Sequence, residues 1–89
     1  MVKFYGSHIC SGCREAKALF QEKGFTDFEF IEITECTDNL RAFLKLRDTR
    51  EELKEAKEAG RIGIPSFVRE DDSITLEAED VLKEAGVDC

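Results

Sequence analysis

The strongest constraint on the fold lies near the start of the chain, in a Cys-x-x-Cys motif. Residues 2–5 form a short apolar run that predicts a β-strand, and Gly6 and Ser7 end it. Beyond Cys13, the apolar residues recur at the spacing of one helix face. Cys10 and Cys13 are therefore predicted to lie where a strand ends and a helix begins.

This position determines the chemistry expected of the pair. Unpaired backbone N–H groups at a helix N-terminus favour negative charge, so a cysteine held there is stabilised as the thiolate that attacks disulfides. Two cysteines at this spacing can also close a small, reversible disulfide ring. The motif alone fits a redox pair and a zinc knuckle about equally well, and its strand-to-helix position favours the redox pair.

A second feature is Gly-Ile-Pro-Ser-Phe-Val at residues 63–68, which holds the only proline of the chain. Proline within a sheet is confined to strand starts, edges and bulges, so Pro65 predicts the start of a strand. Together, the Cys-x-x-Cys motif and Gly63-Ile64-Pro65 give the chain a pattern that resembles the glutaredoxins, within the thioredoxin-like superfamily. The resemblance covers essentially the whole chain. In the length of its middle region and in its sequence at residues 43–50, the chain is similar to the glutaredoxin-related proteins of anaerobic bacteria.

The resemblance implies an α/β, thioredoxin-like (glutaredoxin) fold: a four-stranded mixed sheet flanked by helices, with an extended helical segment at about residues 38–59. It implies a cis Ile64–Pro65 peptide bond facing the cysteines. It also implies a thiol–disulfide oxidoreductase of cell redox homeostasis that reduces protein or glutathione mixed disulfides. Glutathione would be a co-substrate, and no cofactor would be tightly bound.

The bulk properties narrow the class of partner. The 89 residues suffice for one domain, predicted over residues 1–89, with one hydrophobic core. The net charge of −7 argues against nucleic acid as a partner and favours a monomer. There is no long apolar segment and no signal-peptide pattern, so we expect no membrane insertion and a cytoplasmic location, where cysteines serve as thiols.

The pattern along the chain also predicts the other elements. The first helix runs to about Lys23, a mostly buried strand parallel to the first follows at 28–33, and an antiparallel hairpin joins 67–68 to 74–76. A closing helix covers 79–85. The helix caps predicted in the middle region are Thr37 or Asp38 for its first stretch and Asp48 or Thr49 for its second. The predicted apolar anchors are Leu40, Phe43 and Leu44 on the first stretch, Leu53 and Ala56 on the second, and Val81 and Leu82 on the closing helix.

The predicted catalytic residues are Cys10, at the exposed end of the helix, as nucleophile, and the more buried Cys13 as the resolving thiol. The resemblance implies that Ile64 and Pro65 present backbone to an extended substrate or to glutathione. It also implies glutathione contacts from the acidic pair Glu79 and Asp80.

Two further glutathione contacts of the family are missing. Ser7 stands in place of a lysine, and Leu76-Glu77 stands in place of a Gly-Gly. Arg14 or Arg61 could compensate for the missing cation.

The remaining candidates have weaker signals. His8 is a candidate proton relay that would lower the pKa of Cys10 when charged, although an exposed loop residue is the more frequent interpretation. Ser11 can offer a hydroxyl near the thiolate. Cys36 is predicted to be a turn or core thiol and Cys89 a terminal thiol, and neither belongs to a motif.

Three alternatives stay open. Cys10 and Cys13 could bind a soft metal such as Cu(I) or Zn²⁺, although that interpretation leaves Pro65 without a role. A thioredoxin-type reductase, rather than glutathione, could recycle the protein, since two of the family's glutathione contacts are missing. An iron–sulfur cluster shared by two protomers would depend on the same glutathione site.

Overall fold

The computed structural model of the protein describes residues 1–86. The elements in chain order are β1 (Val2–Gly6), α1 (Ser11–Glu22), β2 (Phe28–Glu32), α2 (Thr37–Thr49), a 3₁₀ turn (Glu51–Leu53), α3 (Lys54–Glu58), β3 (Ser66–Val68), β4 (Ile74–Thr75) and α4 (Ala78–Glu84). Over these residues the chain forms a small α/β domain with a four-stranded mixed sheet and four helices.

The strand order of the sheet is β2-β1-β3-β4. β1 pairs with β2 in parallel and with β3 in antiparallel orientation, and β3 and β4 form the predicted antiparallel hairpin. Since β2 is an edge strand, its residues are half-buried or exposed. The prediction of a mostly buried second strand was therefore wrong, because its outer neighbour is solvent rather than another strand.

Helices cover both faces of the sheet. Successive side chains of a strand point to opposite faces, and β1 carries apolar side chains on both, so each face needs a covering layer. Phe4 points to the face covered by α1 and α4, where it packs against Phe20 and Phe67. Tyr5 points to the other face, where it packs with Phe43 of α2 and with Leu53. β1 thus joins two hydrophobic clusters, one on each side of the sheet.

The extended helical segment forms as two helices with a break at Arg50, whose backbone is extended. Both predicted caps in this region were wrong. Cys36 precedes α2 with an extended backbone, so Thr37 already lies in the first turn. Thr49 donates its hydroxyl to the Lys45 carbonyl at 2.6 Å, which places it inside the last turn of α2.

The predicted apolar anchors were only partly right. Leu40 and Leu44 remain 38% exposed, and Phe43 alone is buried within α2. The other anchors are buried as predicted: Leu53, Ala56, Val81 and Leu82. The peptide bond between Ile64 and Pro65 is cis, as the resemblance implied.

Candidate active site

Cys10 lies at the boundary between a loop and helix α1. It is the N-cap residue, with extended backbone, and its carbonyl accepts the first helical hydrogen bond from Arg14 N–H at 3.1 Å. Its own N–H donates to the Ser7 carbonyl at 3.1 Å, which closes the turn that leaves β1. The side chain of Cys10 is half-exposed. The helix begins at Ser11, two residues earlier than the pattern indicated, so the cysteine pair spans the N-cap and the first turn.

Cys13 lies directly behind Cys10 and is fully buried. Its sulfur fits against Gly6, where a methyl group would come within 2.9 Å of it. Burial, helped by the hydrogen bond to Cys10 and the charges of Cys10 and Glu32, outweighs a Ser7 backbone hydrogen bond and raises the pKa of Cys13 to about 12. Cys13 is therefore a protonated thiol held within reach of the Cys10 sulfur.

Cys10 opens onto a groove with a volume of about 650 Å³. The groove is also lined by Ile64, Pro65, Leu76 and Glu77. Beyond Pro65 it continues into a smaller hollow of about 240 Å³. The structure thus brings three predicted site residues together around one groove: Cys10, Ile64 and Pro65.

The predicted acidic pair is divided between two roles. Glu79 lines the smaller hollow at the start of α4. Asp80 instead accepts a hydrogen bond from the Thr75 hydroxyl at 2.9 Å, which ties α4 to β4. Of the two, Glu79 is the one that lines the hollow next to the Cys10 groove.

A polar network beside the cysteines was not predicted. Glu32, at the end of β2, accepts hydrogen bonds from the backbone N–H of His8 at 2.9 Å and from the hydroxyl of Thr34. The buried hydroxyl of Ser7 lies 3.0 Å from that of Thr34. Burial alone would raise the pKa of Glu32, but hydrogen bonds from Thr34, His8 and Ser7 outweigh it and lower that pKa to about 2. Glu32 therefore fixes the loop that carries Cys10.

The signal for this network was present in the sequence. Parallel strands end at the same edge of a sheet, so polar residues at the ends of β1 and β2 are expected to meet there. Glu32 is the last residue of β2 and Thr34 follows it, just as Ser7 and His8 follow β1. This juxtaposition could have been inferred once the two strands were predicted to be parallel.

The weaker candidates lie where the loops place them. The side chain of His8 is 74% exposed, and its Nδ1 lies 3.0 Å from Glu32 Oε1, so the ring is an exposed loop group held by that carboxylate. Ser11 is exposed at the first position of α1. Cys36 is an exposed turn thiol rather than a core one, and Cys89 lies outside the described residues.

The two cations suggested for the missing lysine also have defined positions. Arg14 donates from its guanidinium to the His8 carbonyl at 3.0 Å. Arg61 lines the groove, with its guanidinium 3.7 Å from the Glu55 carboxylate. Ser7, which stands in place of the lysine, is buried and faces Thr34. Arg61 is thus the cation that shares the groove with Cys10.

Residues 1–86 lack two further features. No three His, Cys, Asp or Glu side chains come together as a group that could hold a metal ion. Over the same residues, none of the helices has the length and apolar character needed to cross a bilayer.

Comparison with known proteins gives no relative. No family model, no curated protein and no solved structure matches the chain at a significant level.

Proposed function

We propose that this chain is a dithiol thiol–disulfide oxidoreductase of the glutaredoxin type, with a thioredoxin-like fold. The observation that supports this most is the arrangement of the two sulfurs. Cys10 is half-exposed on the wall of a groove, whereas Cys13 is fully buried behind it. Of these two thiols, only Cys10 is accessible to a substrate disulfide, and Cys13 lies behind it. This arrangement suits a nucleophile and a resolving thiol.

The reaction is a pair of thiol–disulfide exchanges. The Cys10 thiolate attacks one sulfur of the substrate disulfide, whose S–S bond breaks, and the departing thiolate takes up a proton. Cys13 then loses its proton and attacks the Cys10 sulfur, releasing the second substrate thiolate. Two electrons pass from the cysteine pair to the substrate, and the protein is left with a Cys10–Cys13 disulfide.

The surroundings of Cys13 favour this order of steps. In the dithiol state, burial raises the pKa of Cys13 most, and the hydrogen bond to Cys10 and the charge of Cys10 raise it further. Once Cys10 is bonded to a substrate sulfur, its thiolate no longer contributes. The pKa of Cys13 then falls, so Cys13 becomes a better nucleophile at the step that requires it.

The reductant that recycles the oxidised protein is the second part of the proposal. Glutathione is the reductant of the family, and Arg61 is the cation in the groove that could meet one of its carboxylates. Recycling by a thioredoxin-type reductase is the second candidate, favoured by the carboxylate of Glu77, which lines the same groove as Cys10 and would repel the carboxylates of glutathione. Either route belongs to a reducing compartment such as the cytoplasm.

Three variants test the chemistry: Cys10→Ser, Cys13→Ser and, as matched control, the exposed Cys36→Ser. Each is incubated with a protein or glutathione disulfide and analysed by intact mass. Cys13→Ser should accumulate a mixed disulfide on Cys10, Cys10→Ser should lose turnover, and Cys36→Ser should behave as the wild type. Turnover by Cys10→Ser, or no adduct on Cys13→Ser with any disulfide, would overturn the assignment.

The reductant is tested on the oxidised wild type. Its reduction by glutathione is compared with reduction by NADPH and thioredoxin reductase. Rapid reduction by glutathione would support a working glutaredoxin, and rapid reduction by the reductase alone would support the second candidate. If neither acts and the reduced protein binds Cu(I) through Cys10 and Cys13, the soft-metal alternative replaces the proposal.

A further inference from the structure

The groove beside Cys10 continues past Pro65 and has an apolar part in its lining. It runs on both sides of Pro65, since Pro65, Leu76 and Glu77 line both the main groove and the smaller hollow. Ile64 and Leu76 are half-buried within it, and Ile62 exposes 60% of its surface at its edge. An extended peptide segment that continues on both sides of a half-cystine would cover this apolar surface.

The walls of the groove are acidic. Within residues 1–86, its lining carries carboxylates from Glu15, Glu55, Glu77 and Glu79 and one guanidinium, from Arg61. The Arg61 guanidinium lies 3.7 Å from the Glu55 carboxylate, so these two charges largely offset each other. The excess of negative charge therefore lies beyond Pro65, around Glu15 and Glu77.

We infer that the preferred substrates are protein disulfides whose half-cystine lies in an extended segment with basic residues next to it. This inference rests on the proposed exchange at Cys10. Lysine or arginine side chains flanking the half-cystine would meet the acidic walls, and charge complementarity of this kind raises the rate of association. Glutathione carries more carboxylates than amines, so the same walls disfavour it.

The test uses peptide mixed disulfides that release a coloured thiolate when Cys10 attacks. Three peptides of equal length carry one half-cystine, linked to thionitrobenzoate and flanked by lysine, serine or glutamate. The second-order rate constant of the reduced, full-length protein is measured by stopped flow at low and at high salt. We expect the rate to fall from the lysine peptide to the serine peptide to the glutamate peptide, and the differences to shrink at high salt.

Glu77→Gln isolates the contribution of the groove. The Glu77 side chain makes no capping hydrogen bond to α4, so its replacement leaves the helix start intact. The variant should lose about two- to fivefold of the preference for lysine over glutamate, because an exposed charge pair is weak. The serine peptide, measured with the same variant, gives the reference rate for a peptide without charged flanking residues. The matched control is Glu22→Gln, an exposed carboxylate at the far end of α1, which should leave the preference unchanged.

The outcomes separate this inference from the proposed function. Equal rates with all three peptides, or a faster glutamate peptide, would overturn the inference and leave Cys10 as the nucleophile. An equal loss of preference in Glu22→Gln would also overturn it, since the effect would then come from net charge rather than from the groove. If no peptide reacts faster with the wild type than with Cys10→Ser, the proposed function fails and the inference fails with it.

Discussion

Replacing Gly6 by alanine tests whether the close contact between β1 and α1 holds the cysteine pair in place. The added methyl group would lie 2.9 Å from Cys13 Sγ and 3.0 Å from Phe4 Cε1. Both neighbours are fully buried, so neither can move aside into solvent. The backbone of Gly6 lies outside the left-handed region, so alanine meets a steric obstacle there and no backbone strain.

The expected size of the effect follows from these contacts. Forcing one extra methyl group into a well-packed core costs about 1–3 kcal/mol. Alanine also reduces the entropy of the unfolded chain, which offsets about 0.4–1 kcal/mol. We therefore expect the free energy of unfolding to fall by about 1–2 kcal/mol. For a domain of this size, that lowers the melting temperature by about 4–16 °C.

The matched control is Gly12→Ala, which makes the same chemical change in the first turn of α1. A methyl group at Gly12 would lie 3.6 Å from Pro65 Cδ and 3.9 Å from Cys10 Sγ, both ordinary contacts. Since alanine is preferred over glycine in a helix, this variant should be unchanged or more stable by up to about 1 kcal/mol.

Both variants are unfolded thermally and in urea, in the presence of a reductant so that no disulfide contributes. Gly6→Ala should also speed the alkylation of Cys13, because a less stable domain opens more often. An unchanged melting temperature in Gly6→Ala, or an equal loss in Gly12→Ala, would refute the contact as described.

Three further outcomes can be checked. At pH 8, iodoacetamide should label Cys10 and spare Cys13. Burial, more than the neighbouring charges, raises the pKa of Cys13 to about 12, so about one Cys13 thiol in ten thousand is ionised at this pH. Equal labelling of the two cysteines, measured by peptide mass spectrometry, would contradict this. Burial alone would raise the pKa of Glu32, but the hydrogen bonds that its carboxylate accepts lower this pKa from 4.5 to about 2. The contribution of Glu32 to stability is therefore present above pH 4.5 and is lost as the pH falls towards 2. Urea unfolding across that range should show the wild type losing about 2 kcal/mol that Glu32→Gln does not lose, and parallel profiles would show that the carboxylate has no such role. Gly63→Ala should lower the free energy of unfolding by about 1–2 kcal/mol, because Gly63 has φ +97°, a conformation unfavourable for alanine, although its neighbours leave room for a methyl group. An unaltered urea midpoint would mean that the backbone relaxes.

At Gly63 the sequence departs from the glutaredoxin pattern that it resembles elsewhere. Threonine is the usual residue there, yet a φ of +97° is one that residues with a side chain rarely adopt. A methyl group would meet Ala56, Leu53 and Phe43 at ordinary distances of 3.6–3.7 Å, so the backbone and not the space requires glycine. The departure from the family pattern at this position therefore has a local structural reason.

The parts of the fold that could be predicted depend on local patterns. The strand, Cys-x-x-Cys and helix could be predicted because apolar spacing and glycine breaks act within a few residues of each other. The cap of α2 could not, because Thr37 and Asp38 both suit a cap and the choice of Cys36 depends on how the chain leaves β2. The exposure of Leu40 and Leu44 likewise depends on how α2 is rotated on the sheet, which periodicity does not specify.

The sequence by itself determined the cysteine pair, its place between a strand and a helix, and the proline that starts β3. The family, the reductant and the reaction stay predictions. The sequence could indicate that residues at the ends of β1 and β2 meet, but only the tertiary structure decided that Glu32 accepts the hydrogen bond from His8 there and that Glu77 lines the groove. These contacts join residues far apart in the chain, and burial and charge at such distances depend on the packing of whole elements rather than on any local pattern.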